Sequence, residues 1–170
     1  MQTTVKLYDF GYTDAKTYLA AVLFIAGNVA LPQLFHFIPQ GGVIWLPIYF
    51  FTLIGAYKYG WKVGLLTALV SPIVNSLMFG MPALDSLPAI LLKSVLLATA
   101  AGYVSHRWRK VSLPLILIVV LSYQITGTLG EWIIKGNFFN AIQDFRIGIP
   151  GMLFQIFGGY LFIKYLIRTK

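Results

Sequence analysis

Six apolar stretches, separated by short turns or charged segments, most constrain the fold of this chain of 170 residues. A helix that crosses the hydrocarbon core of a bilayer needs about 20 mostly apolar residues. The stretches run approximately over Tyr18–Phe37, Val43–Tyr57, Trp61–Met78, Ala83–Ser105, Leu113–Ile134 and Ile147–Ile167. They predict an all-α, polytopic membrane protein, a bundle of six transmembrane helices. The bundle fills residues 1–170 as a single domain, with a short polar N-terminal segment at 1–16.

The composition disfavours the soluble alternatives. Hydrophobic residues make up 58% of the chain and charged residues only 11%, whereas a soluble domain carries about 25% charged residues. A soluble chain of this size has too much surface to cover with so few charges. A soluble enzyme, a disordered chain and a nucleic-acid-binding domain are therefore disfavoured, and we expect no nucleic-acid partner.

Motifs that carry catalysis or hold a cofactor are missing from the sequence. The chain has no cysteine, and its two histidines, His36 and His106, lie far apart. We therefore expect neither a metal site nor a cofactor. There is also no Walker-type phosphate loop, no GxSxG motif and no suitable pair of carboxylates. We expect no catalytic residues, and any ATP hydrolysis has to occur on separate subunits.

The distribution of the 13 Lys and Arg residues predicts the orientation. With alternating spans and an inner N-terminus, Lys135 and Arg146 fall on outer loops and Lys93 lies within a span. The inner segments hold Lys6, Lys16, Lys58, Lys62, Arg107, Arg109, Lys110, Lys164, Arg168 and Lys170. The positive-inside rule then places both termini in the cytoplasm. The net charge of +8 is interpreted as topology and contact with anionic lipid of the bilayer, and the basic cluster at 107–110 as an anchor after a span.

Polar residues within the spans collect in the outer halves, as judged from the rise of a helix. Such residues are costly in a bilayer and usually face protein or a water-filled cavity, so the asymmetry favours a polar chamber open to the outside. The residues expected to bind a substrate there are Lys93, Glu131, Gln124, Asn75, Gln155, His36, Gln33, Trp132, Tyr49 and Arg146. Asn137, Asn140, Gln143, Asp144 and Arg146 are either a polar lid over the chamber or solvated loop residues.

Lys93 is the most informative of these residues, because it lies about three turns into the fourth span. An ammonium group at that depth needs a counter-ion or must be neutral. It pairs with Glu131, extends upward along its four-carbon stem, or binds an anionic group of a substrate. Pairing and binding can coexist if Glu131 orients Lys93 in the empty site. Tyr49 and Trp132 fit an aromatic belt, with stacking against a flat ligand as the alternative.

Several segments resemble the substrate-binding S components of the energy-coupling factor (ECF) vitamin transporters. They are Gly27-Asn28-Val29-Ala30, Pro39-Gln40-Gly41-Gly42, Pro47, Gly60-Trp61-Lys62-Val63-Gly64 and Gly80-Met81-Pro82. The resemblance implies a subunit in the cytoplasmic membrane of a prokaryote that captures a small water-soluble vitamin at an outward-facing site. It also implies docking on a coupling transmembrane subunit, which two ATPase subunits drive. Ala26 and Ala30 match the family's alanine-xxx-alanine docking motif.

Two other classes compete with this interpretation. A structural membrane protein of the rod-shape-determining type, which scaffolds cell-envelope machinery, has a similar length and hydrophobicity. A scaffold gives little reason to bury polar residues toward one compartment. A small membrane enzyme acting on lipid needs acidic or histidine pairs at one interface, and Asp144 with His36 make no convincing set. The ligand itself is not fixed, since a small carboxylate or a flat heteroaromatic fits a deep lysine with amides, hydroxyls and aromatics.

Overall fold

The computed structural model describes residues 6–166, and this part of the chain is helical, with no β-strand. Its helices are α1 (Ala15–His36), α2 (Gly41–Trp45), α3 (Phe50–Tyr59), α4 (Trp61–Phe79), α5 (Leu87–Trp108), α6 (Leu113–Lys135), α7 (Phe138–Ala141), α8 (Gln143–Arg146), α9 (Ile149–Leu153) and α10 (Gly159–Leu161). A 3-10 turn covers Pro47–Tyr49, and π-helical segments cover Phe154–Gly158 and Phe162–Leu166. The all-α prediction is confirmed for these residues.

Four helices, α1, α4, α5 and α6, are long and apolar enough to cross a membrane. They have 19 to 23 residues and mean hydropathies of 1.5 to 1.8. At 1.5 Å per residue their lengths are about 28 to 35 Å, which matches a hydrocarbon core of about 30 Å. Four apolar helices of this length indicate a membrane-embedded protein.

The second predicted span is broken in the structure, and the sixth is a run of α-helical and π-helical segments. Leu46 adopts a left-handed conformation (φ 47°) between α2 and the turn that begins at Pro47. Proline disfavours the right-handed helical conformation at the residue before it, so the chain breaks here and α3 begins at Phe50. In the C-terminal run 149–166, α-helical and π-helical segments alternate. The predicted end of that span, Ile167, lies outside the described residues.

One end of the bundle, here called the basic end, comprises residues 6–16, 58–62 and 105–112. Backbone hydrogen bonds join Tyr8 to Lys58 (2.9 Å) and Phe10 to Tyr59 (3.2 Å), which ties the N-terminal segment to the turn between α3 and α4. The Tyr57 hydroxyl donates to the carbonyl of Lys110 at 2.8 Å. These bonds bring together most of the basic residues that the sequence assigns to one side. Arg168 and Lys170 lie outside the described residues.

Asn28 joins α1 to α3 and α4 through a buried hydrogen-bond network. Its amide group donates to the hydroxyls of Thr52 (2.9 Å) and Ser71 (3.1 Å), and its side-chain oxygen accepts from the backbone N–H of Phe51 (3.0 Å). The Asn75 amide donates to the backbone carbonyl of Asn28 at 2.9 Å. Hydrogen bonds between helices in a membrane contribute about 0.6 kcal/mol each on average, so several of them fix the relative positions of these helices.

Small residues allow close approach of the helices on the inside of the bundle. A Cβ at Gly64 would collide with Ala56, and one at Gly102 would collide with Trp61. Ala26 and Ala30, in contrast, are exposed on α1. In its most apolar stretch only 17% of α1 is buried, against 44% in each of α4, α5 and α6. α1 therefore leaves an apolar face without a partner in the described part of the chain.

Candidate functional site

Four charged side chains meet at the end of the bundle opposite the basic end. The ammonium of Lys93 on α5 donates to Glu131 Oε2 on α6 at 2.6 Å and to Asp144 Oδ2 on α8 at 2.8 Å. The second oxygen of Glu131, Oε1, lies 2.7 Å from Nζ of Lys135, one turn further along α6. Lys93, Lys135, Glu131 and Asp144 are called the ionic cluster below, and their formal charges sum to zero.

Lys93 and Glu131 of the ionic cluster are buried, Asp144 is partly buried and Lys135 is exposed. Lys93 is 2% exposed and Glu131 is 7% exposed. The structure contains the ion pair of Lys93 with Glu131, which is one of the alternatives that the sequence leaves open for Lys93. Asp144, which the sequence placed in a lid or a solvated loop, is a second counter-ion of Lys93. Removing one partner of a buried ion pair costs about 3–5 kcal/mol, so the members of the cluster depend on one another.

Gly127 gives the Lys93 side chain its path across α6. A Cβ at this position would lie 2.5 Å from Lys93 Cγ and 3.5 Å from both its Cβ and its Cδ. Gly127 precedes Glu131 by four residues, so the two lie on the same face of α6. Sequence reasoning did not identify Gly127 as part of the site, although its spacing from Glu131 is a readable signal.

We expect Gly127→Ala to destabilise the protein by about 1–3 kcal/mol relative to Gly130→Ala, as overpacking of a core does. The new methyl group requires the near end of the Lys93 side chain to move, while two carboxylates hold its ammonium. At Gly130 the new methyl group meets the terminal Cδ2 of Leu92, which can rotate away. Both changes replace glycine with alanine inside α6, so the gain in helix propensity is the same and cancels in the difference between the two stabilities. Unfolding in detergent measures the difference, and equal stabilities would contradict it.

A cavity of about 140 Å³ lies against the ionic cluster. Tyr49, Ser86, Asn140 and Gln143 complete its polar wall, and the region around α2 supplies apolar side chains. Small-molecule sites usually enclose about 300–1,000 Å³. A ligand of that size therefore fits only if a wall of this cavity moves.

A second group of polar side chains lies behind Tyr49. The rings of Tyr49 and Tyr123 are 5.5 Å apart. The Tyr123 hydroxyl donates to Gln155 Oε1 at 2.8 Å and accepts from Gln124 Nε2 at 3.2 Å. Tyr123, Gln124 and Gln155, called the tyrosine–glutamine group, are all buried. Tyr49 thus links this group to the cavity beside the ionic cluster.

Within residues 6–165, four buried side-chain polar atoms have no hydrogen-bond partner in the protein. They are Ser94 Oγ, Gln124 Oε1, Thr128 Oγ1 and Gln155 Nε2. Burying such an atom unpaired costs about 1–3 kcal/mol. All four lie on α5, on α6 or in the first π-helical segment, the last being a feature often found at functional sites. Three of these atoms lie on α5 or α6, the helices that carry Lys93 and Glu131, so a ligand that reaches them can supply the missing hydrogen bonds.

Five of the ten residues predicted to bind substrate lie together. Lys93, Glu131 and Tyr49 line the cavity, and Gln124 and Gln155 belong to the tyrosine–glutamine group. The other five are not among the residues that line the cavity, and ligand contact by them stays a prediction: Asn75, Gln33, His36, Trp132 and Arg146.

Those five residues have other surroundings in the structure. Gln33 donates to Asn75 Oδ1 at 3.3 Å, which attaches it to the network of Asn28. His36 is exposed at the end of α1, and Arg146 is exposed on α8. Trp132 is 45% exposed and makes an edge contact with the ring of Phe138. The polar chamber expected from the sequence is therefore divided, and only part of it surrounds Lys93.

Comparison with models of protein families, with curated proteins and with solved structures finds no match for this chain. The fold and the site define its class without a relative: an all-helical protein with four apolar helices of membrane-spanning length and a neutral ionic cluster beside a small polar cavity. Between residues 6 and 166 no three His, Asp or Glu side chains are grouped to hold a metal ion.

Proposed function

We propose that this protein is the substrate-binding membrane subunit of an ATP-driven importer of the ECF type, and that it captures a small vitamin or related micronutrient at the ionic cluster. The observation that carries the proposal is Lys93, a buried ammonium held by two carboxylates at the wall of a polar cavity. A scaffold that binds no small molecule has little reason to bury such a group beside a cavity, because charged side chains inside a membrane are costly.

In this proposal the chain crosses the cytoplasmic membrane of a prokaryote six times. The broken run 41–59 and the α- and π-helical run 149–166 add two spans to the other four. Interrupted helices are tolerated at membrane depth where they are buried against protein, and residues 46–58 are almost all buried. The basic end faces the cytoplasm with both termini, because its described residues include seven Lys or Arg and only two Asp.

The ligand enters from outside and exchanges partners with the ionic cluster. A carboxylate of the ligand replaces Asp144 on Lys93, and Asp144 moves outward with the loop 136–148. Glu131 stays in place, since Lys135 also binds it. The enlarged cavity then reaches the tyrosine–glutamine group, where the unpaired atoms of Gln124 and Gln155 can bind polar atoms of the ligand.

The energy that releases the ligand into the cell comes from other subunits. A coupling transmembrane subunit docks on the exposed face of α1 at Ala26 and Ala30, and two ATPase subunits drive it. The low burial of α1 supports this assignment, because a helix at the edge of a bundle can accept another helix. Small residues spaced by four let two helices approach closely in lipid.

Native mass spectrometry of the protein purified in mild detergent tests the proposed function. We expect a small molecule bound at one copy per chain, and denaturation should release it for identification. The same preparation of Lys93→Met should lack the molecule while retaining its fold. An empty wild-type protein whose melting temperature does not change with any member of a vitamin panel would contradict the proposal and favour a scaffold.

A further inference from the structure

A groove opens at the basic end, between the N-terminal segment, the start of α4 and the end of α5. Its polar part is a cavity of about 260 Å³ whose wall includes Asp9, His106 and Arg109. A second cavity of about 310 Å³ continues from it along α5, and the two share Asp9, Trp61, Gly102 and His106. This groove is separate from the ionic cluster, which lies at the opposite end of the bundle.

The polar part of the groove is suited to a phosphate group. Arg109 is exposed just beyond α5, and a guanidinium can bind a phosphate through two parallel hydrogen bonds. Nδ1 of His106 lies 3.4 Å from Oδ2 of Asp9, and both side chains line the polar cavity together with Arg109. The surrounding end of the bundle carries seven Lys or Arg against Asp9 and Asp14, so an anion is attracted to it.

Shallow apolar surface along α5 continues beside the polar part over about the length of one acyl chain. The second cavity shares Thr99 and Tyr103 with a third, of about 330 Å³, that extends to Leu96. From His106 to Leu96, α5 rises about 15 Å. This distance is half of a hydrocarbon core of about 30 Å, and therefore the depth of one leaflet. Trp61 and Tyr103 are 40% and 65% exposed along this path, as aromatic side chains near a membrane surface usually are.

We propose that this groove binds one anionic phospholipid, with its phosphate at Arg109 and His106 and one acyl chain along α5. The carboxylate of Asp9 on the same wall disfavours a lipid with several phosphates and is an acceptor for a headgroup hydroxyl, which phosphatidylglycerol has. Basic pockets at the cytoplasmic side of transmembrane helices hold the headgroups of other anionic phospholipids. A soluble phosphate would occupy the polar cavity and leave the path from Tyr103 to Leu96 unused.

The test is native mass spectrometry of delipidated full-length protein titrated with phosphatidylglycerol or with phosphatidylcholine of the same acyl chains. Arg109→Gln is compared with Arg107→Gln, because Arg107 is exposed at the same end and does not line the groove. We expect phosphatidylglycerol to bind at least fivefold more tightly than phosphatidylcholine. Arg109→Gln should weaken its binding about fivefold, the effect of one basic residue near a membrane surface, and Arg107→Gln less than twofold.

A third variant and a soluble competitor test the acyl-chain path. Thr99→Trp should weaken the binding of phosphatidylglycerol at least fivefold, because Thr99 is exposed and lines the second and third cavities. Equal binding of the two lipids, or equal losses in Arg107→Gln and Arg109→Gln, would overturn the proposal in favour of general electrostatic attraction. Binding of glycerophosphoglycerol as tight as that of the lipid would assign the site to a soluble phosphate compound instead. None of these outcomes depends on the transport function proposed above.

Discussion

Replacing Lys93 with methionine should weaken the binding of an anionic ligand about 10- to 150-fold, which corresponds to about 1.5–3 kcal/mol for a hydrogen bond to a charged group. Methionine keeps the unbranched shape that fits beside Gly127 and loses the ammonium that holds two carboxylates. Titration with the ligand identified by mass spectrometry, followed as a shift in melting temperature, measures the change. Unchanged affinity in a folded variant would make Lys93 a structural residue.

Loss of Lys93 also leaves Glu131 and Asp144 with one cation between them, so reduced stability has to be separated from reduced affinity. The double variant Lys93→Met/Asp144→Asn is the control. It keeps the pair of Lys135 with Glu131 and returns the net charge of the ionic cluster to zero. We expect it to recover most of the stability lost in the single variant and to bind ligand as weakly. Recovery of ligand binding in the double variant would show that the single change acted only through stability.

Asp144→Asn alone distinguishes the kinds of ligand. If a carboxylate of the ligand takes the place of Asp144, this change removes a competitor, and affinity should stay equal or increase. A ligand whose cationic group binds Asp144 would instead bind more weakly to this variant. The two results therefore assign the charge of the ligand before its identity is known.

The continuous spans were predictable because hydrophobicity acts on long runs. α1, α4, α6 and most of α5 follow uninterrupted apolar stretches, and their ends fall within a few residues of the predicted ones. α5 begins at Leu87 rather than Ala83, because the preceding residues form turns after Gly80. Hydropathy alone did not show that Leu46 interrupts the second stretch, since that depends on its backbone conformation before Pro47.

The sequence predicted how deep the side chains of the site lie, but not which neighbouring helix each of them faces. Position along a helix indicates how deep a side chain lies, and this was sufficient to connect Lys93 with Glu131. It does not indicate which neighbouring helix the side chain faces, and Asn75 points toward α1 and Asn28 rather than toward α5. Asp144 lies 51 residues from Lys93, in a loop whose path has no periodic signal. Its contact with Lys93 could be found only from the fold.

An indole on the exposed face of α1 should prevent assembly with the coupling subunit and leave ligand binding intact. Ala26→Trp and Ala30→Trp each add this group to the exposed face of α1. Because both alanines are exposed, the described chain leaves room for the indole. Close packing of two helices in lipid depends on small residues, so a large side chain holds the backbones apart. We expect at least a tenfold loss of coupling and ATPase subunits that copurify with the tagged chain, and a matching loss of uptake.

Leu77→Trp is the matched control, because Leu77 is 77% exposed on α4 and carries no role in the proposed docking face. It adds the same indole to an apolar surface and should leave both assembly and uptake unchanged. Ligand binding by all three variants should equal that of the wild type, because Ala26 and Ala30 do not line the cavity beside Lys93. If uptake survives in both alanine variants, docking occurs on another face. If copurification never occurs with the wild type while a ligand is bound, the protein binds its ligand without an ECF partner.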